Sequence, residues 1–516
     1  MVERPPPSRR LSDPSLFQTD GVRAELPQRT VRSGAIAAVS RFGQIALQLG
    51  SAVVLARLLT PADFGIQAMV LALAILFNSV ANLGLQTVII QREVLDHAEA
   101  SAMFHLAVRT NVLVCGAMAV AGAALAVVYR QPAVTWVAAA WATVIYLAAT
   151  AAVHEALLKR QLKFGMVWSA HLAATVASVG AAIVAAASGA GHWALLIQIA
   201  VMELGRAATV WLVSGWKPGR PTGPPGPSVR EMRDHWLRIG GFRTLSMAGD
   251  HLDRVVAGIV GGPTALGLYE TAKRWAWMPF MELYLSLTDV ATSSLSRAQT
   301  EPARYRKYFE YGLLAVLTLA VPTMIFVGTN AAAFLLTLFG PRWLGAEPFL
   351  ELMCVGGLAA AISRPMQWLF LSRGETRRQV RWSAITTPVM IAGVATGAWW
   401  GALGVAVGFV SAIAILALPT VWFAVATTPV RATDVARAVG RPVIASLAAS
   451  VVVQLPGATL TEMGPLAALS WSAAIFAPMY ALGWLILPGG RRAAMELLGA
   501  VRAIRARRGS ATPSPR

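Results

Sequence analysis

About fourteen apolar stretches, each near the twenty residues that a helix needs to cross a bilayer core, succeed one another between Ser33 and Pro488. That pattern admits few folds. In hydrocarbon every backbone donor and acceptor must be satisfied within the chain, so runs of this length form α-helices rather than open sheets. The expected span centres are Leu47, Ile75, Ala117, Thr143, Ser178, Val201, Ala248, Tyr284, Leu319, Gly357, Met390, Ser411, Ser450 and Ala474. With 56% apolar and only 13% charged residues, neither a soluble domain nor a disordered chain is compatible with the sequence. The predicted class is an all-α polytopic membrane protein.

The formal charge of +19 is not a nucleic-acid signature, because its placement alternates from loop to loop. Connections on one side carry 33 Lys and Arg, and the other side carries two, Arg130 and Arg342. The positive side faces the cytoplasm, which puts both termini inside and leaves the basic loops against the phospholipid headgroups. The two cysteines, Cys115 and Cys354, lie in apolar runs, and no Cys or His cluster has metal-ligand spacing. No metal or cofactor is expected.

An arginine followed about twenty residues later by Pro-x-x-x-Gly occurs twice at an offset of 202: Arg41 with Pro61 and Gly65, and Arg243 with Pro263 and Gly267. The copies start spans one and seven, six helices apart. They therefore share an orientation and predict two pseudo-symmetric six-helix lobes around an axis along the membrane normal, with a cleft between them. The expected organisation is a disordered, uncleaved cytosolic tail (1–32), an N-lobe (33–215), a cytosolic hinge and interfacial helix (216–236), a C-lobe (237–428), a further helix pair (429–488) and a basic cytosolic tail (489–516). The hinge follows from the Pro- and Gly-rich run from Trp216 to Pro227, which cannot hold a helix.

Span seven is too polar to face lipid. At 100° per residue Arg243, Asp250 and Arg254 fall within roughly 40° of one another, giving one polar stripe. In span eight Glu270, Lys273, Arg274 and Trp277 share a face. A charged residue at membrane depth is costly and marks a pathway or a pair. The bland alternative is mutual neutralisation, of Asp250 with Arg254 and of Glu270 with Lys273 or Arg274. Arg57 reads as an interfacial anchor, Arg206 as a partner of Glu203, and His154, His171 and the Gly404-x-x-x-Gly408 pair as packing features. Arg41, Arg109, Arg243, Arg254, Lys273 and Arg274 are the candidate cavity cations. Guanidinium forks suit phosphate because they never lose their proton and bond it in pairs. Asp250, Asp253 and Glu270 are the candidate ion-coupling groups, able to take a proton or sodium ion and so draw on a gradient.

Ala56-Arg57-Leu58-Leu59-Thr60-Pro61-Ala62-Asp63-Phe64-Gly65, Leu252-Asp253-Arg254 leading to Ala265-Leu266-Gly267-Leu268-Tyr269, Leu295-Ser296-Arg297 and Leu338-Phe339-Gly340-Pro341-Arg342-Trp343 stand in an order that resembles the polysaccharide transporter branch of the MOP superfamily, the Wzx-type and colanic-acid-exporter-like flippases. The resemblance covers roughly Val31 to Thr428. It departs near the end of span eight, where Asp289 and Ser293 stand. It implies an undecaprenyl-diphosphate-linked oligosaccharide as substrate, alternating access, and a role in surface polysaccharide synthesis at the bacterial inner membrane. Arg41 and Arg243 would then meet the pyrophosphate, and a polymerase and export machinery would act beside the protein. An ion-coupled multidrug or small-molecule antiporter shares the architecture and is the alternative, but it would want acids where this chain has arginines. Short external connections argue against a glycan polymerase or ligase, so no enzyme is expected.

Overall fold

A computed structural model describes residues 43–81, 89–90, 95–161, 164–219, 227–455, 463–487 and 490, with their side chains except at 79–81, 164 and 227–250. Among the described residues there is no strand. The helices are α1 (Gly43–Leu58), α2 (Pro61–Ala81), α3 (His97–Tyr129), α4 (Ala133–Arg160), α5 (Phe164–Ala187), α6 (Trp193–Ser214), α7 (Pro227–Arg297), α8 (Pro302–Thr329) and α9 (Ala331–Leu338). They continue as α10 (Glu347–Ser363), α11 (Gln367–Ser372), α12 (Thr376–Gly397), α13 (Gly401–Val425), α14 (Ala432–Gln454) and α15 (Pro465–Ile486). Every expected span centre falls inside one of these helices, and among the described residues ten segments are long and apolar enough to cross a membrane. The protein is a multi-pass membrane protein. Large apolar side chains turned outward, such as Leu212 and Trp399, each 82% exposed, have lipid rather than water as their solvent.

Local chemistry sets the helix starts. Pro61, Pro302 and Pro465 sit in the first turn, where a missing N–H costs nothing. At α2 the Asp63 carboxylate accepts from the Thr60 backbone N–H at 2.9 Å, while Thr60 Oγ1 accepts from the Asp63 N–H at 3.4 Å, a reciprocal cap. Within α7 a single residue breaks the helix: Gly262, at φ 71° and ψ −174°, followed by Pro263. Only glycine adopts that conformation without strain, so α7 is two helical pieces joined by one residue.

The chain forms two compact units, Met1–Gly267 and Leu268–Arg516. In the first, α3 packs on α4, α5 on α6, and α4 on α2 and α6. Buried contact positions there are often small, as at Ala138, Ala151, Ala156 and Ala182, which lets helices approach where lipid supplies no hydrophobic drive. An aromatic knot closes one end: His154 stacks on Trp211 at 4.1 Å, Trp216 donates to His97 Nδ1 at 3.1 Å, and Phe104 meets these rings edge-on. In the second unit α8 packs on α10 and α14, α12 on α13, and α14 on α15. The α12–α13 hairpin interlocks through Gly393, Gly397, Gly404 and Gly408, each glycine backed against the partner's backbone. The packing role read from Gly404 and Gly408 is thus visible, with its mating pair on α12.

Proline kinks are also repaired by tertiary contacts. Pro322 in α8 has no N–H to give the Thr318 carbonyl one turn before it. Tyr480 of α15 donates its hydroxyl to that oxygen at 2.8 Å, and Trp484 Nε1 in turn donates to the Tyr480 oxygen at 2.7 Å. The terminal helix pair is therefore keyed to α8 by a polar contact that hydrocarbon makes obligatory. At its other end α14 is tied to α8 by a fork from Arg306 Nε and Nη2 to the Asp434 carboxylate, at 3.1 and 3.2 Å.

Candidate functional site

The two Pro-x-x-x-Gly turns touch each other. A methyl group built on Gly65 would overlap the Pro263 carbonyl, and one built on Gly267 would overlap the Pro61 carbonyl. Such an exchange, first residue with second and second with first, is what a local two-fold produces. The internal repeat read from the sequence is thus a physical contact inside the first unit. The same corner is braced by His192, whose carbonyl accepts from Gln67 Nε2 at 3.4 Å.

Deeper in the first unit lies a charge network spanning three helices. Arg206 of α6 bonds Glu155 of α4 and, at 2.6 Å, Glu203 on its own helix. Lys159 reaches Glu155 at 2.6 Å, and His171 Nε2 of α5 stands 3.9 Å from it. Glu155 is only 4% exposed. Two carboxylates and two permanent cations cancel, which is how a charge survives at this depth. These cations are spent on the carboxylates, as expected for Arg206 and Glu203, while Glu155 and Lys159 were not singled out in the sequence.

The second unit presents a cation–aromatic face. Lys273, 7% exposed, places its ammonium 4.0 Å from the Phe409 ring centre and 5.5 Å from that of Trp277. Trp277 is locked by its Nε1–H on the Met353 carbonyl at 3.0 Å, and it stacks on Phe409. From the opposite helix Arg364 reaches the same indole, its guanidinium 5.6 Å from the ring centre. Arg364 is exposed, and its side chain makes no hydrogen bond or ion pair with the described residues. Its position follows from Pro365: the helix that begins at Glu347 tightens into a 3-10 turn at Arg364–Met366 before resuming as α11. Beyond the turn Gln367 accepts from the Tyr284 hydroxyl at 2.8 Å, and Trp368 donates to Thr288 Oγ1 at 3.0 Å. Lys273, Trp277, Tyr284, Trp368 and Phe409 are buried, so what reaches the surface here is the Arg364 guanidinium and the Gln367 amide, held over a packed cation–aromatic layer. An exposed guanidinium fixed in this way suits an anionic group, since it pairs with phosphate oxygens.

Of the residues predicted from sequence, Arg41 lies outside the described residues, as do the side chains of Arg243 and Asp250. In the first unit Arg109 is exposed on α3, Asp253 is buried at 2% exposure, and Arg254 is half-buried with Nη1 3.0 Å from His251 Nδ1. In the second, Glu270 is half-buried, Arg274 is exposed, and Lys273 belongs to the aromatic face. Arg364 is the residue that sequence reading missed. Its signal was present: an arginine directly before a proline in the middle of an apolar run, where a charge is costly and a helix must break.

Comparison with known proteins agrees with this architecture. Residues 54–348 match the family described as polysaccharide biosynthesis protein. The chain is 24% identical over 393 residues to the lipopolysaccharide biosynthesis protein WzxC of Escherichia coli (strain K12), covering 74% of this chain and 78% of that one. It is 23% identical over 433 residues to the succinoglycan biosynthesis transport protein ExoT of Rhizobium meliloti (strain 1021), covering 81% and 84%. Among solved structures, the lipid II flippase MurJ in an inward closed conformation superposes with a TM-score of 0.67 at 12% identity, over 87% of this chain and 99% of that one. An inward-facing multidrug resistance MATE transporter of the MOP superfamily gives 0.55 at 16% identity, over 74% and 93%, so the fold is one these transporters share. With more than half its length matched, the chain belongs to the polysaccharide biosynthesis protein family.

Proposed function

We propose that the protein is a flippase that carries undecaprenyl-diphosphate-linked oligosaccharide units across the bacterial inner membrane by alternating access, for assembly of a surface polysaccharide. The family and the relatives named for lipopolysaccharide and succinoglycan synthesis support the cargo class, and the fold shared with a lipid II flippase supports the reaction. One observation carries the reading at residue level: Lys273 and Arg364 converge on the Trp277 indole, with Arg364 holding no described acid. A protein exporting organic cations would want the opposite charge on this face, so the antiporter alternative fits it poorly. We include in the proposal fourteen spans in two six-helix lobes plus a terminal pair, both termini in the cytoplasm, Arg41 and Arg243 as further pyrophosphate contacts, and Asp250, Asp253 or Glu270 as the group coupled to a proton or sodium gradient. The protein performs no covalent chemistry in this scheme, and a polymerase and export machinery take the product.

The test is a deletion strain analysed for the lipid-linked intermediate that accumulates, then complemented with variants held at equal protein level. Loss of surface polysaccharide with sugar-bearing undecaprenyl diphosphate trapped on the inner leaflet is expected. Arg364→Gln should fail to complement and Arg364→Lys should complement in part. A deletion strain with normal surface polysaccharide and no accumulated intermediate would remove the proposal, and full rescue by Arg364→Gln would remove the residue assignment.

A further inference from the structure

The start of α12 carries a cluster of charge with no part in the face just described. Gly374, at φ +67°, turns the chain out of α11, and the next residues border a cavity of about 640 Å³ lined by Glu375, Arg377, Arg378, Arg381 and Thr427. Three arginines face one carboxylate, which stands 3.9 Å from Arg378 Nε and is further occupied. Its two oxygens accept from Arg373 Nε at 3.0 Å and Thr427 Oγ1 at 2.9 Å. Arg378 is fixed over the Phe423 ring at 4.5 Å and donates to the Phe423 carbonyl. Arg377 and Arg381 are exposed, and their side chains make no hydrogen bond or ion pair with the described residues.

Such a cluster is electrostatically unfavourable by itself. The arginines repel one another, and Arg377 and Arg378 fall on the first turn of a helix, where the backbone already contributes positive potential. An anion in the cavity would offset both terms. What kind of anion follows from the surface that continues from the pocket. Trp382 stacks on Phe423 at 4.6 Å in the manner of an interfacial aromatic pair, and Ile385, one turn on from Arg381, is 54% exposed. On the neighbouring helix Leu418 and Trp422 are 65% and 66% exposed. Cationic fork, amphipathic rings and bare apolar side chains therefore follow one another along the α12–α13 hairpin, which is the order of phosphate, glycerol and acyl chain in a lipid.

We propose that the pocket bordered by Arg377, Arg378 and Arg381 is a binding site for the phosphate of an anionic phospholipid, whose acyl chains lie along Ile385, Leu418 and Trp422. The charge pattern of the loops puts it in the cytoplasmic leaflet. The site does not depend on the flippase reading. Its ligand needs no sugar, and its test does not read transport.

The full chain, purified in a mild detergent, is given palmitoyl-oleoyl-phosphatidylglycerol or the matching phosphatidylcholine, and retained lipid is measured by native mass spectrometry. A diazirine-bearing phosphatidylglycerol then maps the contact by crosslinked peptides. Preferential retention of phosphatidylglycerol is expected, with crosslinks in the segments holding Ile385, Leu418 or Trp422. The double variant Arg377→Gln/Arg381→Gln should weaken retention about twenty-fivefold, from two basic residues each contributing roughly a factor of five near a headgroup. The charge-matched variant Arg304→Gln/Lys307→Gln should not. Equal retention of phosphatidylcholine, or equal loss in both double variants, overturns the proposal in favour of general charge attraction. Displacement of the lipid by inorganic phosphate, with no crosslink to the three apolar residues, overturns it in favour of a free-anion site. The crosslink map needs no variant, so a misfolded double variant leaves the question decidable.

Discussion

Replacing Gly65 by alanine adds one methyl group at the place where the two repeated turns meet, and its effect can be worked from the geometry. The new Cβ would stand 2.9 Å from Pro263 Cα and nearer still to that residue's carbonyl. Carbon pairs prefer about 3.5–4.0 Å, so clearing that carbon alone parts the turns by roughly 0.6–1.1 Å, and clearing the carbonyl oxygen takes more. Both surfaces are backbone and cannot rotate aside as a side chain would, which places the overpacking cost near the upper part of the usual range, about 2–3 kcal/mol. Alanine in a helix recovers about 1 kcal/mol over glycine, leaving a net loss of about 1–2 kcal/mol. Gly116, in α3 with nothing within 4 Å of a built Cβ, supplies the contrast: the same chemical change there should stabilise by about 0.5–1 kcal/mol. The reciprocal contact gives a sharper test. Once Gly65→Ala has parted the turns, Gly267→Ala enters space already opened, so the double variant should lose less than the sum by about 1 kcal/mol. Denaturant unfolding of the purified protein, followed for wild type, both single variants and the double, measures this cycle. If Gly65→Ala were as stable as Gly116→Ala, or the two losses simply added, the crossing of the turns would be refuted.

Three further outcomes are expected. Tyr480→Phe leaves the Thr318 carbonyl without a donor in hydrocarbon, and should cost about 1–2 kcal/mol in the same unfolding assay, while Tyr480 replacement in a Pro322→Ala background should cost less because the helix N–H returns. Glu155→Gln strips Arg206 and Lys159 of their shared acid and should destabilise by about 3–5 kcal/mol; pairing Glu155→Gln with Arg206→Gln should recover part of it, and a double variant no better than the single would show that the network is not a unit. For topology, a cysteine in place of Arg342 should react with an impermeant maleimide from outside intact cells and one in place of Arg378 only after permeabilisation, the reverse pattern inverting the orientation.

Much of this protein could be read from its chain alone. Span length, the imbalance of basic residues between alternate loops, and prolines at helix starts are one-dimensional signals, because a bilayer imposes the same length and the same polarity rule on every crossing. The order of the motifs around Pro61, Gly267 and Arg342 was enough to point to the family that the matched residues 54–348 then showed. The charged pair of Arg206 and Glu203 was legible for the same reason, since one helical turn brings them together.

What the sequence could not supply were partners far apart in number. That Gly65 backs onto Pro263, that Glu155 stands between Arg206 and Lys159, that Tyr480 answers the gap left by Pro322, and that Arg364 shares an indole with Lys273 depend on which helices lie side by side. Lipid gives apolar helix faces little reason to choose between neighbours, so hydrophobic patterning carries almost no record of that choice. Close backbone contacts and obligatory polar pairs decide it, and those exist only once the helices are packed.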